Sequence, residues 1–350
     1  MDMKKCTLLL LFLPIFVLTG CSQSPQEREG LLKVGMVLDT GGEKDHGYNE
    51  YSLLGARKAA ETSGIAFDYV VSETKDEYRS NIEKVIQGGA DLVFTVGFTL
   101  ADATAWAARQ HPERHFAIMD YAYHPGRGCP GDAASCYTET GGLDNVTSLV
   151  FTEDQPAYLA GVLAACMSRT GIIGTVGGEK IPPVTKLVKG FEKGARATNP
   201  EIVTYKRYIP DFNDPASGYQ MAMEFISKGV DVLFCAAGKT GLGGLRAAKE
   251  AGVKAVGVDV DQYFTFPEAR SVLITSVMKN VDVAAGVVVD KFVAGSLKAG
   301  IFSFDLKSDA VGLAPYHEWE NRIPQECKDL VAQANRKIVM EPETVRGENP

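Results

Sequence analysis

Four aspartates follow short apolar runs, at points where buried strands are expected to end. Asp39 follows LKVGMVL, Asp120 follows HFAIM, and Asp259 follows AVGV, with Asp261 two residues later. A carboxylate at such a position can accept hydrogen bonds from two vicinal hydroxyl groups. Lys279 follows ITSVM and is able to bond a ring oxygen or a hydroxyl. These residue types predict a binding site for a small polar molecule.

Two further segments are predicted to reach the same site. Tyr48 and Asn49 begin a helical pattern after a Gly-rich turn and are expected to face the opening, whereas Asp45 is expected to cap that helix. Phe234 comes late in an apolar run, where core packing is the plain alternative. Small residues follow it and allow a ligand to approach the backbone closely. That stretch contains Gly238, Lys239 and Gly241.

Short apolar runs alternate with helical patterns from Leu32 onward. Runs such as ADLVFTVG and VDVLFCAAG are apolar throughout, which is typical of parallel strands buried on both faces of a sheet. The same alternation restarts near Gly171. About 320 residues exceed what one hydrophobic core usually holds. The pattern therefore predicts an α/β protein with two doubly wound lobes.

The two halves also resemble each other in sequence. EKVIQGGADLVF, ending at Phe94, aligns with MEFISKGVDVLF, ending at Phe234, and Asp120 aligns with Asp259 at nearly the same offset. Two matches in the same order favour a duplicated lobe, with a ligand cleft between the copies and hinges where the chain crosses between them. The expected divisions are an export signal at 1–20, a tether at 21–31, lobes at 32–150 and 151–275, and a hinge return at 276–350.

The beginning of the chain is typical of an exported lipoprotein. Lys4 and Lys5 precede the apolar run Thr7–Leu18, which ends in LTGC at Cys21. This run is shorter than the roughly 20 residues of a settled membrane span, so it indicates a cleaved signal. We expect Cys21 to carry the lipid anchor and the rest of the chain to lie in the cell envelope, facing the periplasm or the exterior.

The other cysteines fit an oxidising compartment. Cys129 and Cys136 lie in a Gly- and Pro-rich loop and are expected to form a disulfide. Cys166, Cys235 and Cys327 have apolar neighbours and are expected to be buried, unpaired side chains.

Several function classes fit poorly. The formal charge of −8, without a basic patch, disfavours nucleic-acid binding. The glycines of GKTGLGG match neither a dinucleotide-binding nor a phosphate-binding loop, and no Ser/His/Asp or Cys/His arrangement predicts catalysis. No spacing predicts a metal site. We therefore expect a binding protein without cofactors rather than an enzyme.

Motifs along the chain resemble the basic membrane protein family of lipoproteins. They are LDTGGEKDHGYNE, FCAAGKTGLG, GVDVDQ, SVMKNVD and GLAPYHEW, in that order, and the resemblance covers essentially all of 32–339. It implies a type I periplasmic binding protein fold and a purine nucleoside ligand. It also implies the permease and ATPase of an ABC importer as partners.

The resemblance further implies a role for each matching residue. Tyr48 and Phe234 would sandwich the base, one from each lobe. The base edge would be bonded by Asp39, Asn49 and Asp120. The ribose would be held by Asp259 and Lys279, assisted by backbone amides near 239–241. Two alternatives stay open: a sugar or other small polar solute as the ligand, and presentation of the ligand to a membrane sensor.

Overall fold

Two six-stranded β-sheets organise residues 31–345, the part of the chain that this computed structural model describes. The strands are β1 (Lys33–Leu38), β2 (Ala66–Val71), β3 (Leu92–Val96), β4 (His115–Met119), β5 (His124–Pro125), β6 (Gly128–Cys129), β7 (Val146–Phe151), β8 (Ile172–Gly177), β9 (Val203–Tyr208), β10 (Val232–Ala236), β11 (Lys254–Asp259), β12 (Leu273–Lys279), β13 (Gly300–Phe304) and β14 (Val311–Leu313). The expected signal, most of the tether, and Cys21 lie outside the described residues.

Ten α-helices are found in this range. They are α1 (Tyr48–Thr62), α2 (Tyr78–Gln87), α3 (Ala101–Gln110), α4 (Asp154–Met167), α5 (Pro182–Thr198), α6 (Pro215–Ser227), α7 (Gly238–Ala251), α8 (Gln262–Thr265), α9 (Val281–Val293) and α10 (Gln325–Met340). None of those within residues 31–345 combines the length and the apolar character that a membrane crossing needs.

The two sheets share one topology. The first, in lobe one, has the order β13-β7-β4-β3-β1-β2, and the second, in lobe two, has β14-β12-β11-β10-β8-β9. All neighbouring strands in both are parallel except β14, which is antiparallel to β12. Strands β3 and β10 are buried along their whole length, as their apolar sequences predicted. The predicted two-lobed α/β fold is confirmed.

The chain crosses between the lobes three times. It leaves lobe one after β7, returns after β12 through α9 to β13, and leaves again between β13 and β14. Helix α9 packs on α1 of lobe one, and its Asp282 backbone lies where a side chain at Gly55 would have to sit. A glycine is therefore required at this contact between the helices.

Two disulfides join cysteines in the described range. Cys129 is bonded to Cys136, and Cys166 on α4 is bonded to Cys327 on α10 with a Cα–Cα distance of 5.7 Å. The expectation that Cys166 and Cys327 are unpaired is wrong, because packing of α10 on α4 brings together positions 161 residues apart. Cys235 is free and buried, as expected.

Removing the long-range disulfide should destabilise the protein more than removing the short-range one. Loop-closure entropy grows with the number of residues enclosed, reaching up to about 5 kcal/mol for the Cys166–Cys327 loop and about 2 kcal/mol for the Cys129–Cys136 loop. We expect Cys166→Ser/Cys327→Ser to lower the free energy of unfolding in urea more than Cys129→Ser/Cys136→Ser does. Equal losses in non-reducing buffer would contradict this assignment.

Candidate functional site

A cavity lies between the two lobes at the carboxyl ends of their strands, where open α/β sheets bind ligands. It encloses about 630 Å³ of space between protein atoms, including the solvent at its mouth. Lobe one contributes Asp39, Gly41, Asp45, Tyr48, Asn49, Gly97, Phe98 and Asp120. Lobe two contributes Ile181, Pro183, Val184, Leu187, Phe212, Ala236, Ala237, Gly238, Lys239, Val258, Asp259 and Lys279.

The carboxylate of Asp39 is fixed by the turn that follows β1. It accepts hydrogen bonds from the Gly41 amide at 2.9 Å and from Asn49 Nδ2 at 2.8 Å. At Gly97, where φ is +124°, a Cβ would overlap this carboxylate. Three segments of lobe one therefore hold Asp39 at the cavity wall.

Asp45 organises the beginning of α1. Its carboxylate accepts the backbone N–H groups of Gly47, Asn49 and Glu50 at 3.0, 2.8 and 3.1 Å. The expected capping role is confirmed, because these amides have no partner within the helix. Through this cap Asp45 fixes the direction in which Tyr48 and Asn49 project.

Asp120 and Asp259 adopt the same uncommon backbone conformation in the two lobes. Their φ angles are +70° and +66°, in the left-handed region that aspartate tolerates better than most residues. Each stands at the carboxyl end of the fourth long strand of its sheet, β4 or β11. The predicted equivalence of these residues thus extends to their backbone geometry.

Lys279 is the central cation of the cleft. Its Nζ lies 2.8 and 2.7 Å from the two carboxylate oxygens of Asp120 and 3.6 Å from Glu153. It also lies 5.0 Å from the ring centroid of Tyr48 and 4.8 Å from that of Phe151. Burial lowers the pKa of Lys279, but the surrounding carboxylates outweigh it and hold the pKa above its ordinary value.

Glu153 is a member of this cluster that the sequence reasoning missed. It is 1% exposed and also accepts from Lys186 Nζ at 3.1 Å. Burial raises its pKa, against the opposing effect of Lys279 and Lys186. Its position two residues after β7 follows the same rule that identified Asp39, so the signal was present in the sequence.

Tyr48 and Asn49, which line the cavity, each carry a buried polar atom without a hydrogen-bond partner in the described chain. The hydroxyl of Tyr48 lies near enough to Asp120 for the carboxylate to contribute to its raised pKa, after the larger effect of burial. No atom of the described chain, however, meets hydrogen-bonding geometry with that hydroxyl or with Asn49 Oδ1. Because unmade hydrogen bonds of buried groups are costly, both atoms are suited to ligand contacts.

The assignment of Phe234 to the cavity is wrong. Phe234 is fully buried in β10 and packs on Phe191, with ring centroids 4.9 Å apart. Strand β10 continues to Ala236, so only the residues from Ala236 onward reach the cleft. The core-packing alternative therefore holds for this side chain.

Phe212 supplies the aromatic ring of lobe two instead. It is half-buried and lines the cavity from the connection between β9 and α6. The sequence reasoning missed it because the connection IPDFND has no helical or strand periodicity. The sequence pattern that could have identified Phe212 is a single aromatic residue in a short polar loop after a strand.

Two further predicted contacts are wrong. Asp261 caps α8 by accepting from the Tyr263 amide at 3.2 Å and bonds His317 Nε2 at 2.7 Å, away from the cavity. Gly241 lies inside α7, where its amide donates to Ala237 O at 3.2 Å. Gly238 and Lys239 do line the cavity, because they form the first turn of α7.

Two carboxyl groups of the cavity, Asp39 and Asp259, have raised pKa values. Burial raises the pKa of Asp39 to about 6, although the hydrogen bond from Asn49 opposes this. Burial also raises the pKa of Asp259 to about 7; Lys279 opposes the rise, and Asp120 adds to it.

Residues 32–344 match the family model Bmp, described as an ABC transporter substrate-binding protein, PnrA-like. The chain belongs to the Bmp family. A Bmp-family relative from Lactococcus lactis, named ABC transporter nucleoside-binding protein BmpA, is 28% identical over 93% of both chains. The CD4+ T-cell-stimulating antigen of Listeria monocytogenes is 29% identical over 96% of this chain and 97% of its own.

Solved structures agree with this family membership. A solute-binding protein of an ABC transporter system from Aeropyrum pernix K1 superposes with a TM-score of 0.79 at 25% identity, covering 89% of this chain and 92% of that one. Bmp-family members are substrate-binding proteins of ABC transporters and not enzymes. The Bmp-family chain described here thus has a small molecule as its ligand and an ABC permease as its partner class.

Replacing Asp259 with Asn should stabilise the ligand-free protein at high pH. An unfolded Asp loses its proton near pH 4, whereas folded Asp259 keeps its proton to about pH 7. The folded state therefore binds more protons between these values, and this group's contribution to the free energy of unfolding falls as pH rises from 4 to 7.

Urea unfolding at pH 4.5 and pH 8 measures this effect. We expect Asp259→Asn to exceed the wild-type protein in unfolding free energy at pH 8, with most of the difference lost at pH 4.5. The exposed Asp144→Asn serves as the control and should change little at either pH. A pH-independent difference for Asp259→Asn would contradict the raised pKa.

Proposed function

We propose that this protein binds a purine nucleoside between its lobes and delivers it to an ABC importer. The observation that carries the proposal is that aromatic side chains line one cavity from opposite lobes, Tyr48 and Phe98 from lobe one and Phe212 from lobe two. Aromatic side chains stack on nucleobases with about 1–3 kcal/mol per base. A flat base between these rings would require both lobes to be in place.

The base edge would be bonded by Asp39, Asn49 and Asp120. Asn49 donates a hydrogen bond from Nδ2 to Asp39, and its Oδ1, which has no partner in the described chain, would accept one from the base. Ionised carboxylates only accept hydrogen bonds. This end of the cavity therefore favours a ligand edge rich in N–H donors, as purines present.

The ribose would be held by Asp259 and Lys279. Asp259 stands at the end of β11 and would accept hydrogen bonds from two vicinal hydroxyls. Lys279 already donates hydrogen bonds to Asp120. An ammonium N–H that Asp120 does not use would donate to a ring oxygen or a hydroxyl of the ribose. The backbone at Gly238 and Lys239 would approach the sugar from the side of α7.

The charge of the cavity favours a neutral ligand over an anion. Asp39, Asp45, Asp120 and Asp259 line it, together with only two ammonium groups, Lys239 and Lys279. Lys279 is neutralised by Asp120, and the Nζ of Lys239 is directed to the Gly42 turn of lobe one. A free sugar is the second candidate, because aromatic faces also stack on sugars.

Delivery to the permease would depend on closure of the lobes around the ligand. Lys75 and Glu179 form an ion pair at 2.8 Å across the cleft, and Thr265 Oγ1 donates to His46 O at 2.9 Å. These contacts join loops of lobe one to loops of lobe two and fit a closed receptor.

We further propose that residues 1–20 are removed and that lipidated Cys21 anchors the protein in the cell envelope.

Calorimetric titration with nucleosides tests the proposed ligand. The protein should first be unfolded and refolded without reducing agent, to remove any carried-over ligand while keeping the disulfides. We expect one-to-one binding of adenosine, guanosine or inosine, weaker binding of cytidine and none of ribose alone. If folded protein gives no heat of binding with any purine nucleoside, the nucleoside proposal is refuted. Tight binding of ribose would favour a sugar as the ligand.

Phe212→Ala should weaken purine nucleoside binding by one to two orders of magnitude, from the loss of one stacking partner. The matched control is Phe234→Leu, since Phe234 was the alternative aromatic residue and lies in the core. We expect the control to lower the free energy of unfolding while leaving the dissociation constant within a few-fold of wild type. If the Phe234 variant alone lost affinity, Phe234 rather than Phe212 would be the stacking residue of lobe two.

A further inference from the structure

The connection that carries Phe212 is tethered to α7 at three backbone positions. Thr240, in the first turn of α7, supplies every one of these tethers. Its amide donates to Phe212 O at 3.1 Å, and its hydroxyl donates to Asp211 O at 2.6 Å. The same hydroxyl accepts from the Asp214 amide at 2.9 Å. One side chain thereby bonds the connection on both sides of Phe212.

These bonds are not the usual ones for a threonine near a helix beginning. Such a hydroxyl ordinarily bonds the backbone of its own turn. In Thr240 it instead bonds residues 26 and 29 positions earlier in the chain. Thr240 is fully buried, and its side chain is absent from the cavity lining. Thr240 therefore acts on a ligand only through its neighbours, of which the connection receives both bonds of its hydroxyl.

The Phe212 ring is confined from another side as well. A Cβ at Gly178, directly after β8, would overlap the ring of Phe212, so the ring lies against bare backbone there. The next residue, Asn213, donates its side-chain amide to Thr40 O of lobe one. Displacing the connection would thus disturb both the aromatic wall and a contact across the cleft.

We propose that Thr240 is the positioning residue for Phe212, with its hydroxyl fixing the backbone that presents the ring to the ligand. This inference rests on the proposed function, because it takes Phe212 to be the stacking partner in lobe two. Thr240 makes no ligand contact of its own. Because the ring is already held in place, the connection does not have to be ordered when the ligand binds. The entropy cost of binding is therefore smaller, which is the usual benefit of a preorganised site.

The isosteric variant Thr240→Val and the hydroxyl-retaining variant Thr240→Ser separate the hydroxyl from the shape of the side chain. Valine removes both hydroxyl bonds and keeps the volume, whereas serine keeps the hydroxyl. We expect Thr240→Val to weaken binding of adenosine and guanosine roughly three- to tenfold, less than the complete loss of stacking. Thr240→Ser should bind within about twofold of wild type.

A double-mutant cycle with Phe212→Ala decides how Thr240 acts. Titrations use the full chain in detergent, with adenosine and guanosine as probes. In the Phe212→Ala background, Thr240→Val should cause no further loss of affinity, because the ring that it positions is gone. An equal loss in both backgrounds, or wild-type affinity of Thr240→Val, would overturn the inference.

The same measurements distinguish failure of the inference from failure of the proposed function. If Phe212→Ala binds both probes like wild type, the stacking role of Phe212 is refuted, and the role of Thr240 falls with it. If Phe212→Ala is weakened but Thr240→Val is not, only the positioning role is refuted. Near-ultraviolet circular dichroism checks folding, and Thr240→Ala replaces the valine variant if valine prevents folding.

Discussion

The cleft is organised around one buried cation, the ammonium group of Lys279. Transfer of such a group from water into a protein interior costs several kcal/mol unless charges and hydrogen bonds compensate. Both carboxylate oxygens of Asp120 accept hydrogen bonds from the Lys279 ammonium group. Glu153 and the rings of Tyr48 and Phe151 also lie close to it. Because Asp120 belongs to lobe one and Lys279 to β12 of lobe two, this ion pair also joins the lobes.

The cluster lies where the chain passes between lobes. Glu153 follows the first crossing, and Lys279 immediately precedes the second. Lys279, which lines the cavity, is therefore paired with Asp120 at a strand end of lobe one and lies 3.6 Å from Glu153 beside the first crossing.

The alternation of strands and helices and several cavity residues were predictable because parallel strands have a strong sequence pattern and ligands bind at their carboxyl ends. Asp39, Asp120 and Asp259 were found in this way. Phe234 was misplaced because an apolar run does not show at which residue a strand ends, and β10 extends two residues beyond it. Phe212 was missed because its connection has no periodicity to read.

Long-range pairing was equally inaccessible. Cys166 lies in an apolar helical stretch and Cys327 lies between Glu326 and Lys328, and neither pattern distinguishes a paired cysteine from an unpaired one. Only the packing of α10 on α4 brings their Cα atoms to 5.7 Å. Sequence patterns describe single elements, and the choice of neighbour for a terminal helix depends on surfaces that no local pattern specifies.

The matching conformations of Asp120 and Asp259 bear on the origin of the fold. Both residues end the fourth long strand of their sheets with a left-handed backbone, and the two sheets have the same strand order. A single ancestral lobe with this strand end would have presented one carboxylate, and a symmetric pair of such lobes would have presented two to a shared ligand. Gene fusion would then have freed the two copies to diverge, one pairing its aspartate with Lys279 and the other leaving its own open to the cavity.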